Sequence, residues 1–290
     1  MPQNVLITGT SSGFGQLTAR SLAARGHRVF ATMRGIDGNN RDRADALRAT
    51  QGVEVLELDV TSDASVAAAV SAALRSAGHL DAVINNAGQA TVGLNETITT
   101  DQLVRLFDTN VIGMQRVNRA VLPGMRARRS GLVIHVSSAL GRILIPITGL
   151  YAATKFAVEA LAETYRYQLK GCGVDVAIVQ PGAYPTELGK GDPIGADQDR
   201  AKGYGPMANA LEDFQQWATA AKADPNAPNP QQVADALVTL VETPAGQRPA
   251  RVSVDGTNNP LVPQLNAAHA QAQRQLLQAM GMGDLADEPS

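Results

Sequence analysis

The chain has a single cysteine, Cys172, in 290 residues. One thiol excludes an intramolecular disulfide framework and a cysteine-cluster zinc site. Histidine is scarce too: His27, His79, His135 and His269 lie far apart, without the paired spacing of a metal site. Surplus charge is missing, since 25 Lys and Arg against 27 Asp and Glu leave −2. Nothing basic therefore points to a nucleic acid partner. No apolar run approaches the roughly 20 residues of a membrane-spanning helix. Met1-Pro2-Gln3-Asn4 lacks the basic start of an export signal. These absences predict a soluble, cytoplasmic protein with no membrane, nucleic acid or metal partner.

What is present is a globular composition, 44% hydrophobic and 18% charged, with 27 glycines. It is rich enough in apolar residues for a sizeable core. Short apolar runs at Val5–Ile7, Arg28–Thr32, Val53–Leu58, Ala82–Ile84, Leu132–Val136, Val174–Val179 and Arg251–Val254 read as seven strands. Helical spacing falls between them, at about 15–25, 66–76, 100–126, 151–170 and 231–241, the fourth strand leading into a long helix that stops and restarts. Alternating strands and helices predict an α/β fold: a doubly wound, Rossmann-like parallel sheet with helices on both faces. Residues 1–256 read as one dinucleotide-binding domain. Within it, 183–230 interrupts the alternation with clustered Gly, Pro, Asp and Asn, yet carries Met207, Leu211, Phe214 and Trp217. A long apolar loop of this kind reads as a substrate-binding segment. Residues 257–290 form a helical tail, with the pattern strongest over 263–280.

The first strand runs into Thr8-Gly9-Thr10-Ser11-Ser12-Gly13-Phe14-Gly15. Glycine lets backbone approach a ligand closely, and a helix opening there aims free N–H groups and its positive dipole end at a pyrophosphate. Strand two ends Ala31-Thr32-Met33-Arg34, with no acid to bond a ribose hydroxyl and an arginine suited to a 2′-phosphate. That favours NADP(H) over NAD(H), with NAD(H) still open.

Further along stand Asn85-Asn86-Ala87-Gly88, Ser138 and Tyr151-Ala152-Ala153-Thr154-Lys155, with Asp59-Val60, Asn110, Pro181-Gly182 and Thr186 between and after them. Together, in this order, they resemble the short-chain dehydrogenase/reductase family, nearest to its hydroxysteroid, retinol and ketone-reducing branch. The resemblance spans about Val5 to Gly256. It implies a catalytic set of Asn110, Ser138, Tyr151 and Lys155. Tyr151 acts as acid or base, Lys155 lies one helical turn away on the same face, Ser138 bonds the substrate oxygen, and Asn110 holds a water linking Lys155 to solvent. It implies cofactor contacts from Gly9, Ser11, Ser12, Gly13, Phe14, Gly15, Arg34, Asp59, Val60, Asn86, Ala87 and Gly88. Tyr151, Lys155, Pro181, Gly182 and Thr186 join them at the nicotinamide end.

The implied activity is hydride exchange between NADP(H) and a ketone, aldehyde or secondary alcohol. Leu140, the stretch 142–147, Gly93-Leu94 and the apolar residues of 183–230 suggest a hydrophobic substrate. Two alternatives stay open: a nucleotide-binding regulator that has lost the chemistry, and an epimerase or dehydratase using the same Tyr and Lys. The family also implies a homodimer or homotetramer.

Overall fold

A computed structural model describes residues 1–186, 188, 194–256 and 259–286. Seven parallel strands form one sheet in the order β3-β2-β1-β4-β5-β6-β7. They are β1 (Asn4–Thr8), β2 (Arg28–Met33), β3 (Val53–Glu57), β4 (Ala82–Asn85), β5 (Gly131–Val136), β6 (Val174–Pro181) and β7 (Arg251–Val254). The helices are α1 (Gly13–Ala24), α2 (Arg41–Arg48), α3 (Asp63–Ala77), α4 (Thr100–Phe107), α5 (Gly113–Arg128), α6 (Gly149–Leu169), α7 (Ala210–Ala223), α8 (Gln231–Glu242), α9 (Leu261–Ala279) and the short α10 (Gly283–Ala286).

Strand alternation splits the core in two. Val5 and Ile7 face one side with Ala19 and Leu22 of α1, Leu47 of α2 and Leu237 of α8. Leu6 and Phe30 face the other with Val70 of α3, Val117 and Met125 of α5, and Ala162 of α6. Both sets are buried, so the central strands are apolar on both faces, as a covered parallel sheet requires. Helix starts follow local chemistry. Thr99 and Gln102 form a reciprocal capping box on α4, and the Ser62 side chain accepts from Ser65 N on α3.

The seven expected strands are all present, and the break expected in the fifth-strand approach is real. Between α4 and α5 the chain makes a π turn over Asp108–Ile112, centred on Asn110. Two helices depart from the sequence reading. α2 is short and charged, burying only Ala44 and Leu47, which leaves no apolar stripe to detect. The 183–230 segment is not simply loop: a run of tight turns at Gln198–Asn209 leads into α7. Within the expected tail, α9 and α10 are helical as expected, while 257–258 and 287–290 lie outside the described residues. The tail lies against the rest of the chain, with Val262 and Leu277 of α9 buried. Among the described residues no helix is long and apolar enough to cross a membrane.

Candidate active site

Strand order reverses beside β1, which pairs with β2 on one side and β4 on the other. Open α/β sheets bind ligands in the crevice at such a switch, past the carboxyl ends of the strands. Here the crevice lies between the turn after β1 and the turn after β4, and the two are bonded together. Asn86 Nδ2 donates to the Thr8 and Gly9 carbonyls, each at 2.9 Å. Thr8 Oγ1 accepts from Asn86 N and Ala87 N, each at 3.0 Å.

The approach is close enough to demand glycine. Gly9 sits at φ +71°, and a Cβ there would lie 2.7 Å from Ala87 Cα. A Cβ on Gly15 would lie 2.4 Å from the Gly9 carbonyl oxygen. α1 begins at Gly13 with no side-chain cap from Ser12 and no acid in its first turn. Its leading N–H groups and positive end are thus left for an anion. Ser11, Ser12 and Phe14 line the same turn. Phe14 meets Tyr184 edge-on at 5.7 Å between ring centres, and Thr186 stands opposite Gly13. The loop after Pro181-Gly182 therefore packs against the glycine turn.

At the far end of β2, Arg34 is 57% exposed, 3.9 Å from Asp59. Burial alone would raise the Asp59 carboxyl, but hydrogen bonds from Thr61 N and Oγ1, with the Arg34 and Arg116 charges, hold it below its usual value. Val60 is buried next to it. Glu57 is engaged by Gly35 N at 2.8 Å and Ile36 N at 2.9 Å. A second cation, not anticipated from the sequence, comes from α2: Arg43 donates to the Ser11 carbonyl at 3.4 Å. The run Arg41-Asp42-Arg43 was its only signal.

On α6, Tyr151, Lys155 and Glu159 form one buried stripe at four-residue spacing. Lys155 Nζ donates to the Val136 carbonyl at 3.0 Å and lies 5.7 Å from the Tyr151 ring centre. Burial pushes the ammonium down to about 8, with the Glu159 charge acting in the opposite direction. Ser138 lies two residues past β5; its Oγ accepts from Leu140 N at 3.1 Å and starts the turn 139–141. Its neighbour Ser137 is buried instead.

Asn110 commits its side chain to protein. Oδ1 accepts from Gln89 N at 2.8 Å, and Nδ2 donates to Gln89 O at 2.9 Å and Thr154 Oγ1 at 3.0 Å. It thereby joins the π turn, the chain beyond Gly88 and α6. A cavity of about 10 Å³ lies among Asn110, Lys155, Asn85 and Thr8, the size of one water. Gly88 borders this group: a Cβ there would be 3.4 Å from Asn110 Oδ1 and 3.8 Å from Lys155 Nζ.

Of the residues expected around the substrate, Leu94 and Ile147 are buried and Leu144 is exposed. Arg142 is directed elsewhere, its Nε donating to Asn266 of α9 at 3.0 Å. On the 183–230 segment, residues 194–197 are fastened to 92–102. Gln102 Nε2 donates to Ile194 O and Gln102 Oε1 accepts from Ala196 N, both at 2.9 Å. Beyond them, Met207 and Trp217 are exposed, and Phe214 stacks at a tilt on Trp217.

Residues 3–194 match the family described as short chain dehydrogenase. The chain is 38% identical over 185 residues to a 3-ketodihydrosphingosine reductase of Bacteroides thetaiotaomicron, covering 64% of this chain and 65% of that protein. It is 38% identical over 191 residues to retinol dehydrogenase 8 of Homo sapiens, covering 64% and 60%. The matched part is thus just under two-thirds of these relatives' length. A short-chain dehydrogenase from Streptomyces avermitilis has the same architecture, with a TM-score of 0.75 at 29% identity over 96% of each chain. An actinorhodin polyketide ketoreductase solved with NADPH superposes with a TM-score of 0.72 at 26% identity, over 88% of this chain and 95% of that one. The bonded glycine turn, the Tyr151–Lys155 stripe and the matched residues 3–194 agree: the chain belongs to the short-chain dehydrogenase family.

Proposed function

We propose that this chain is an NADP(H)-dependent oxidoreductase acting on a ketone or aldehyde, or on a secondary alcohol in reverse, with a hydrophobic substrate. The observation that carries the reading is Tyr151 and buried Lys155 on one face of α6, at the carboxyl edge of the sheet beside the glycine turn. The nucleotide, when bound, supplies or accepts the hydride. Gly9, Ser11, Ser12, Gly13, Phe14 and Gly15 hold its phosphates, with Asn86, Ala87 and Gly88 alongside. Asp59 and Val60 flank the adenine, and Pro181, Gly182 and Thr186 hold the nicotinamide end.

Tyr151 gives its phenolic proton to the carbonyl oxygen, or takes one from the alcohol. Lys155 favours the phenolate that this leaves, because a nearby cation stabilises an anion in a site sheltered from water. With its pKa near 8, the lysine is mostly charged at neutral pH. Ser138 holds the substrate oxygen through its hydroxyl. Asn110 fixes the walls of the water-sized cavity next to Lys155, a route for replacing the proton. Residues 1–256 act as the catalytic domain, with 183–230 over the substrate. The exposed apolar side chains of Val104, Ile112 and Phe156, on the helices that carry the site, support self-association, which light scattering reads directly.

The central test is Tyr151→Phe. Turnover of a panel of aliphatic and aromatic ketones and aldehydes should fall at least about a hundredfold, while NADPH titration shows unchanged binding. Undiminished turnover would remove Tyr151 from the role. For the cofactor, Arg34 and Arg43 offer two cations and the local acids Glu57 and Asp59 are already engaged. Arg34→Ala should weaken NADPH about tenfold and leave NADH unchanged, the loss of one charged hydrogen-bonding partner. A wild-type preference for NADH would overturn the NADP(H) assignment.

A further inference from the structure

Four charged side chains, Glu159 buried and Arg142, Arg251 and Glu163 largely shielded, cluster behind the catalytic stripe. Glu159 is one turn beyond Lys155, and its side chain is 3% exposed. It accepts from Gln180 Nε2 at 2.9 Å and Arg251 Nε at 3.0 Å, and lies 3.3 Å from the Arg142 guanidinium. Glu163, a turn further, pairs with Arg251 and with His269 of α9. Two arginines balance two glutamates. Such a network is weak evidence for stability, because desolvating four charges costs about what their attraction returns. Its geometry is more informative.

The members come from separate parts of the site. Arg142 lies four residues past Ser138 on the same loop. Glu159 continues the Tyr151–Lys155 face. Gln180 immediately precedes Pro181-Gly182. Asn266 belongs to α9, and its Nδ2 donates to Gln180 Oε1 at 2.7 Å. Among the described residues, Asn266 Oδ1 is the single hydrogen-bond acceptor for the Arg142 guanidinium. The loop also rests directly on the network, since a Cβ at Gly141 would lie 2.8 Å from Ser137 Oγ and 3.0 Å from Glu159 Cγ. A loop in that contact has no slack to move Ser138 without moving Arg142.

We propose that Arg142, Glu159 and Asn266 are positioning residues: they clamp the Ser138 loop onto the Tyr151–Lys155 helix, and α9 is therefore part of the catalytic support. The proposal rests on the reading of Ser138, Tyr151 and Lys155 given above. It explains why α9 is attached through polar groups at the site rather than through apolar packing alone. It also assigns Arg142 to the frame and not to the substrate pocket.

The test compares Asn266→Ala with Asn266→Asp in the full chain, with Gln271→Ala on the exposed face of α9 as control. Asn266→Ala should lower kcat about tenfold for the fastest ketone of the panel, within the range that a misplacement of about an ångström produces. Its NADPH dissociation constant should stay within about twofold, because α9 supports the loop and not the glycine turn. Amide hydrogen exchange over residues 139–145 should quicken about tenfold, as expected where local opening becomes easier. Asn266→Asp keeps an acceptor for Arg142 and should restore both the exchange protection and most of kcat. Gln271→Ala should match wild type. Unchanged kcat and exchange in Asn266→Ala would overturn the clamp, and so would an aspartate variant no better than alanine. The exchange comparison needs no substrate or nucleotide. If wild type fails to bind NADPH, the functional reading falls while the clamp is still decided.

Discussion

The two walls of the cleft are built by different means. On the side of the glycine turn, backbone packs on backbone: the Asn86 side-chain amide bonds two carbonyls of the β1 turn, and Gly9 and Gly15 leave no room for a Cβ. On the lid side, beyond the strap at 194–197, contacts are between exposed charges. Arg200 pairs with Glu96 and with Asp197, each at 2.6 Å, and Tyr204 OH donates to Glu96 at 2.9 Å. Close backbone packing tied by partly buried hydrogen bonds yields little, because an unmade bond shielded from water costs desolvation and a Cβ has nowhere to go. Exposed ion pairs are adjustable and screened by salt. On the proposed reading, holding a nucleotide falls to the first wall and admitting a substrate to the second.

The sharpest way to break this contrast is Gly15→Ala. The new Cβ would overlap the Gly9 carbonyl oxygen and come 2.5 Å from Asn86 Nδ2, so the turn must open. Overpacking of this kind costs about 1–3 kcal/mol in unfolding free energy, measurable by denaturant titration. Because the displaced atoms form the cradle itself, NADPH affinity should fall by a larger factor than stability alone implies. A variant that binds NADPH normally would show that the turn is more pliant than its contacts indicate.

How legible each wall was in the sequence follows the same division. The glycine spacing, the strand alternation and the Tyr151–Lys155 pair are short-range patterns, and the structure places them together as read. The π turn at Asn110 matched the anticipated break in the long helix. What escaped depended on long-range partners. Arg43 acts from α2, whose charged sequence Arg41–Arg48 buries too little to stand out. Arg142 looked like a pocket residue from its neighbours Ile143 and Leu144, but its partners are Glu159 and Asn266, one 17 and the other 124 residues away in the chain. No local pattern encodes such a contact. Likewise α7 is flanked by Gly205-Pro206 and Asp224-Pro225, and those breakers hide the helix between them.

A second effect, of similar size, appears on titration. Lys155 is buried and its folded value, about 8, lies below the ordinary 10.5. Between those values the unfolded chain holds more protons than the native one, so stability should rise as pH rises through this window. Below it, the native state carries a buried cation at a cost of about 3 kcal/mol, from the 1.36 kcal/mol that each pH unit represents. Comparing unfolding free energies of wild type and Lys155→Met from pH 7 to pH 10 isolates this group. The difference between them should move in favour of wild type with rising pH. A flat difference would mean that the lysine is not desolvated.

The lid should show the smallest and most tunable response. Hydrogen bonds from Arg200 and Tyr204 hold the Glu96 carboxyl below its usual range, and the group is exposed. A carboxyl with a lowered folded value lends its support above the unfolded value and loses it as pH falls through the folded one. At neutral pH the pair is therefore intact, and Glu96→Gln removes its charge without removing its shape. The melting temperature should change by no more than about 2 °C, because surface pairs contribute little to folding. The substrate KM should rise a few-fold with kcat unchanged, and high salt should raise the wild-type KM toward that of the variant. A large fall in melting temperature would show the lid to be part of the folding core, and the two walls would then be one structure held by one kind of force.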